Sequence, residues 1–326
     1  MPADCVSIVA AGHSRFGRLE GTTLEDLIVQ VTREALADAA IDASAIDALF
    51  LGHFNSGLVP DGFASSLLLQ ADPGLRFKPA TRCENACASG SAAIQAGVNA
   101  ILSGSAELVL VVGAEKMTHT STAEVTQALA GAGYQNDPGE AGLSFPQLFG
   151  RAARQYAERY HCPLGSMAAI ATKNHSNAMA NPLAQMHRVM DFEHCNNVSK
   201  SNPFVAESLR LTDCSLISDG AAAIILASPK RARAFRRDVQ ICAMTQVNDC
   251  LPIAQRDILA FEGPQRAIHT ALRGANITLA DLSFAEVHDC FTIAELLIYE
   301  AMGLAPKGEG HRVLDSGVVR AGGRLP

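Results

Sequence analysis

Two short stretches carry side chains that could do chemistry. In ENACASGSAA (84–93) a single thiol, Cys87, stands among residues of minimal bulk. If a helix begins just after it, the first free backbone N–H groups and the helix dipole favour a thiolate there. Ala86, Ala88, Ser89 and Gly90 would leave room for an incoming acyl group. The same small residues also suit a cysteine packed tightly at a buried helix, and both readings stand on this stretch alone. In VHDCF (287–291) a hydrogen-bond donor, His288, a second thiol, Cys290, and an apolar wall, Phe291, follow a strand predicted over SFAEV (283–287). Strand termini are where α/β proteins place their sites.

The rest of the composition narrows the field. A formal charge of −7 leaves little for phosphate neutralisation, and the one dense basic run, Lys230, Arg231, Arg233, Arg236 and Arg237, reads as a solvated helix face, so nucleic acid is not an expected partner. The nine cysteines are scattered with no CxxC pair, which fits a reducing cytoplasm. His187, His194 and Cys195 match no zinc-ligand spacing, and no metal is expected. Apolar runs such as LVLVV (108–112) are too short to cross a bilayer.

The elements that must position these groups alternate. VSIVAAG (6–12) reads as a strand, TLEDLIVQVTREALADAAI (23–41) as a Thr-capped amphipathic helix, ALFLGHF (48–54) as a strand, ACASGSAAIQAGVNAILSG as a helix and ELVLVVGAEKM (107–117) as a buried strand. This order predicts a mostly parallel sheet covered on both faces. From 118 to 205 the chain makes a helical, turn-rich excursion, and LTDCSLISDGAAAIILAS (211–228) returns to a turn and a buried strand.

A second half begins near Val239 and repeats the first. An offset of 236 pairs Leu36 with Leu272, Ala39 with Ala275, Ile41 with Ile277, Ile46 with Leu282 and Leu51 with Val287. We read this as an internal duplication. By that offset the counterparts of the Cys87 helix and of the following strand fall at and beyond position 323, so the second half is expected to be incomplete.

Together with ENACASGSAA and HDCF (288–291), the stretches VGAEKMT (112–118), FPQLFGRAARQYAERY (145–160), KNHSNAMANPLAQ (173–185) and SDGAAAIILAS (218–228) resemble the thiolase family. Within it they resemble the sterol-carrier-protein type, whose HDCF replaces the NEAF loop of other thiolases. The resemblance implies an α/β thiolase fold: two duplicated βαβ-type halves in α/β/α/β/α layers, with residues 1–117 and 206–238 as the nucleophile domain, 118–205 as a loop domain covering CoA, and 239–326 as a truncated C-terminal domain. It implies that Cys87 takes the acyl group from an acyl-CoA, that His288 holds the thioester oxygen of the second substrate, and that Cys290 moves the α-proton. Ser215, Phe291 and Phe149 would contact the pantetheine arm. Arg151, Arg154 and Lys173 could meet the CoA phosphates, although a solvated helix face suits them better.

CoA thioesters would be substrates and no permanent cofactor is implied; a homodimer and an acyl-CoA-binding partner protein are the expected associations. The resemblance also leads one to expect a GHP motif, whose histidine deprotonates the nucleophile. None lies within these 326 residues. Thiolytic cleavage of 3-ketoacyl-CoA or its reverse, Claisen condensation, is therefore expected of the family, with a truncated or split chain inactive alone, or a subunit of an acyltransferase/retro-aldolase complex, as the alternative.

Overall fold

A computed structural model describes residues 5–326. In chain order the elements are β1 (Ser7–His13), α1 (Leu24–Ala39), β2 (Ala48–Gly52), β3 (Ala80–Cys83), α2 (Ser89–Leu102), β4 (Leu108–Glu115), α3 (Thr122–Ala130), α4 (Phe145–Arg159), α5 (Leu164–Ala178), α6 (Phe192–Asn196), β5 (Phe204–Ala206), β6 (Leu209–Arg210), β7 (Gly220–Ala227), α7 (Pro229–Ala232), β8 (Val239–Gln240), α8 (Glu262–Ala275), α9 (Thr292–Met302) and α10 (His311–Asp315). They fall into two compact units, Met1–Ala128 with Ile217–Gln246, and Leu129–Leu216 with Val247–Pro326. No helix among the described residues is long and apolar enough to cross a membrane.

The first unit is a six-stranded sheet in the order β3-β2-β4-β7-β1-β8. The expected mostly parallel sheet is instead mixed: β2 runs parallel to β3 and β4, whereas β7 is antiparallel to both β4 and β1. The reason is where the chain returns. It leaves β4 at Glu115 and re-enters at Gly220, its direct partner, so β7 can only run back along β4. Side chains alternate across the sheet as the pleat requires. Leu49, Leu51, Leu108, Leu110 and Val112 join the core under α1, and Val109, Val111 and Leu226 join the one under α2. α1 begins in a capping box between Thr23 and Asp26 and buries Leu27, Ile28, Val31 and Ala35 on one face.

The second unit is built from helices. Tyr156 of α4, Met167 and Ile170 of α5, and Ile293, Leu296 and Leu297 of α9 form its main core. α9 is buried all the way round, its apolar residues in the core and its two glutamates held by Lys173 and Tyr299 and by Tyr156. The strand expected over 283–287 does not form. No strand follows β8 among the described residues, so this segment has no neighbour with which to build a ladder; it runs without regular structure, and the Ala285 N–H donates to the Pro326 carbonyl at 3.0 Å.

The duplication leaves a mark in the backbone. α1 ends on Ala40 in the left-handed region (φ 54°, ψ 44°), and α8 ends on Asn276 in the same conformation (φ 55°, ψ 44°), 236 positions later. In each case a 3-10 turn follows at the same offset, Ala43–Ala45 and Leu279–Asp281. The two copies then diverge, since β2 enters a sheet and 284–288 does not.

Candidate active site

In the first unit, β3 hands the chain through a sharp turn to α2. Ala86 takes a left-handed conformation (φ 46°), one that costs an L-residue about 1–2 kcal/mol. Hydrogen bonds hold it there: the Ala86 N–H donates to Glu84 Oε1 (2.6 Å), Ser89 Oγ donates to the Ala86 carbonyl (2.6 Å), and the Asn85 N–H donates to Ser89 Oγ (2.9 Å). The helix lies very close to the sheet at its N-terminus. A Cβ on Gly52 would come within 2.7 Å of Gly90 Cα and of the Ser89 carbonyl oxygen.

Cys87, two residues before the first helical residue, is exposed. The expected thiolate-favouring environment is not what the geometry produces. Protein crowded around the sulfur pushes the thiol pKa up, the Glu115 carboxylate adds to this, and the residue's own backbone N–H only partly opposes it.

In the second unit the residues from VHDCF meet several others singled out by the sequence. The Ser215 N–H donates to the Cys290 carbonyl at 3.0 Å, and Cys214 bridges Phe291 backbone to backbone. Phe149 of α4 stacks on Phe291 with ring centroids 4.6 Å apart and planes at 26°. His288 is exposed, Cys290 half-buried and Phe291 buried. Protein packed against the imidazole moves the His288 pKa down, which favours the neutral ring.

The cationic residues are otherwise engaged. Arg151 donates to the Gly139 carbonyl, and Arg154 pairs with Glu207 at 3.0 Å, both at the surface. Lys173 is neither a solvated helix residue nor an open phosphate ligand, because its Nζ lies 2.8 Å from Glu295 Oε1, which is buried.

Sequence reasoning passed over the residue between His288 and Cys290. The Asp289 carboxyl accepts from Asn174 Nδ2 at 2.6 Å, and the same amide nitrogen donates to Glu295 Oε2 at 2.7 Å. Tyr299 also donates to Glu295, while Asp289 Oδ1 is buried with no hydrogen-bond partner. Burial, with the Glu295 charge behind it, pushes the Asp289 pKa up to about 7 against the opposing pull of Asn174 and Lys173. The signal was present in KNH (173–175), two of whose residues reach this carboxylate pair.

Comparison with known proteins places the chain in a family. The family described as Thiolase, N-terminal domain, matches residues 6–230, and Thiolase C-terminal domain-like matches 245–326. An acetyl-CoA acetyltransferase of Methanothermobacter thermautotrophicus is 34% identical over 323 residues, which is 98% of this chain and 83% of that protein. Sterol carrier protein 2 of Oryctolagus cuniculus is 30% identical over 341 residues, 99% of this chain and 61% of its own length. The solved structure of an Ltp2-ChsH2(DUF35) aldolase has the same fold, with a TM-score of 0.82, 21% identity and coverage of 99% of this chain and 83% of that one. Matched along nearly its whole length, with a mixed α/β fold and the HDCF segment in place, the chain belongs to the thiolase family and is a thiolase-like acyltransferase.

Proposed function

We propose that the chain transfers an acyl group from an acyl-CoA through a thioester on Cys87. Cys87 Sγ adds to the thioester carbonyl, and the bond to the CoA sulfur breaks as a proton passes to that leaving thiolate. His288 then donates a hydrogen bond to the thioester oxygen of a second acyl-CoA, and Cys290 takes its α-proton. The resulting enolate carbon attacks the acyl-Cys87 carbonyl and expels the Cys87 thiolate. The reverse sequence is thiolytic cleavage of a 3-ketoacyl-CoA.

The observation that supports this reading most is the assembly of Ser215, Phe149 and Phe291 around the backbone of the residues that would handle the second substrate. A neutral His288 suits its role, since it can donate one N–H without carrying charge into the site. Phe149 and Phe291 offer the apolar wall that a pantetheine arm needs, and residues 118–205 would cover the CoA.

The raised thiol pKa of Cys87 means that its acylation depends on a base to remove the proton. The same reading takes the protein to be cytoplasmic and homodimeric, β3 being one of the two edges of the sheet and the longer of them. It also gives the protein an acyl-CoA-binding partner; the aldolase of the same fold pairs Ltp2 with ChsH2(DUF35). The test is incubation of the purified chain with millimolar acetyl-CoA, followed by peptide mass spectrometry. An acetyl adduct on Cys87 that is absent from Cys87→Ala is expected. No adduct after prolonged incubation overturns the acyl-cysteine route.

A further inference from the structure

The proposed chemistry uses His288 and Cys290 and leaves Asp289 without a role, yet the Asp289 side chain is tied to the interior. Its side chain is fixed by Asn174 of α5, and the same amide nitrogen is fixed in turn by Glu295 of α9. Glu295 is 1% exposed and is bound by Lys173 and Tyr299. Just beyond it, Thr292 Oγ1 donates at 2.9 Å to Asp213, whose charge is balanced by the fully buried Arg210 at 2.7 Å. The segment is therefore pinned at the Asp289 carboxyl, at the Cys290 carbonyl by Ser215, and at the Thr292 hydroxyl. His288 stays exposed and Cys290 half-buried on this anchored frame.

We propose that Asp289, held by Asn174 and the Lys173–Glu295 pair, is the positioning residue that aims His288 and Cys290 and couples the reactivity of the Cys290 thiol to its own charge.

The charges around it define how the coupling works. Facing Asp289 are Lys173 and Asn174 from α5, Glu295 from α9 with Tyr299 bound to it, and Asp213 and Cys214 from the segment before β7, with Arg210 neutralising Asp213. One ammonium thus serves two carboxylates at the Asp289–Glu295 pair, and a proton on Asp289 relieves the imbalance. The charge of Asp289 is already felt by a neighbouring thiol. Cys214 is pushed up to about 12, first by burial and then by Asp213 and Asp289. Cys290 follows Asp289 directly in the chain, so loss of the Asp289 proton places a negative charge beside that thiol and disfavours its thiolate.

The roles of His288 and Cys290 rest on the function proposed above, so the test avoids turnover. The full chain is alkylated with iodoacetamide from about pH 5.5 to 8.5, and the rate at Cys290 is read by peptide mass spectrometry, with buried Cys195 as the internal control for an intact unit. A thiol in a constant field gains about tenfold in rate per pH unit. In the wild type the gain at Cys290 is expected to be shallower while Asp289 ionises. In Asp289→Asn, which keeps an oxygen for Asn174, the full slope returns. In Asn174→Leu the loosened segment raises Cys290 alkylation by about tenfold or more while Cys195 stays protected.

Identical slopes in wild type and Asp289→Asn overturn the proposal. So does an Asn174→Leu rate within about twofold of wild type. If Asn174→Leu also exposes Cys195, the slopes alone decide. A failed acetyl adduct on Cys87 leaves these readouts unaffected, and the two readings fall separately.

Discussion

At the scale of single residues, the surroundings of Cys87 work against its ionisation. Cys87 stands in a turn with a strained Ala86, next to a helix start that would favour its thiolate, yet crowding and Glu115 outweigh that benefit. Its pKa lies above the ordinary thiol value, so thiolate is a minor species at neutral pH. Iodoacetamide alkylation of Cys87 in the free protein is therefore expected to climb about tenfold per pH unit from neutrality through pH 8.5 or so, without levelling off. A plateau near pH 7 would show that the thiol is already activated. Glu115→Gln removes the opposing charge and is expected to raise the neutral-pH rate several-fold.

At the scale of elements, the position of Cys87 depends on how close α2 comes to the sheet. Gly52 and Gly97 permit that approach. A Cβ on Gly97 would meet Leu226, Val111 and Val109 side chains at 2.9–3.1 Å, which can give a little, whereas one on Gly52 would strike backbone. Gly52→Ala must lift the N-terminus of α2, at a cost of about 1–3 kcal/mol. Urea denaturation is expected to show that loss together with slower acetylation of Cys87. A variant of wild-type stability and reactivity would mean that the contact is softer than the geometry implies. The duplicated helix ends show a different economy: the left-handed closures at Ala40 and Asn276 persist 236 positions apart although the side chains differ, because the turn is set by the hydrogen bonds it makes, from Ile41 to Leu36 and from Ile277 to Leu272.

Across the whole molecule, carboxylates held by hydrogen bonds recur in both units, and this sets the acid limb of stability. Asp219 is the fully buried case. Burial alone would raise its pKa, but donation from Lys116 (2.6 Å), Thr118 (2.5 Å) and the Met117 and Thr118 N–H groups brings it to about 2. Asp26, Asp38 and Asp257 are lowered as well. A carboxylate with a depressed folded pKa stabilises the fold above its unfolded value near 3.8, and that contribution is lost as the pH falls towards the folded value. Asp219 alone accounts for about 2 kcal/mol. Stability is thus expected to fall steeply between about pH 4 and pH 2, with a smaller fall in Asp219→Asn, as measured by urea midpoints. Asp289 works with the opposite sign. Its raised pKa makes the folded state bind the extra proton, so its contribution weakens as the pH rises from about 4 to about 7.

The sequence by itself determined the family, the nucleophile unit's strands and helices, and the residues whose types suit acyl transfer, because those depend on local pattern: a capped amphipathic helix, short β-branched runs, a thiol among small residues. It also displayed the repeat, whose helix ends and 3-10 turns recur in register. Only the tertiary structure decided the direction of β7, since that depends on where a long excursion returns beside Glu115. It likewise decided that 283–287 is not a strand, because a strand exists only with a partner to share its hydrogen bonds. The meeting of Asn174 and Lys173 with Glu295 and Asp289 was likewise a matter of packing. The first three lie on two helices more than a hundred positions apart in sequence, and only packing brings one amide between two carboxylates and gives Asp289 a pKa unlike that of any exposed aspartate.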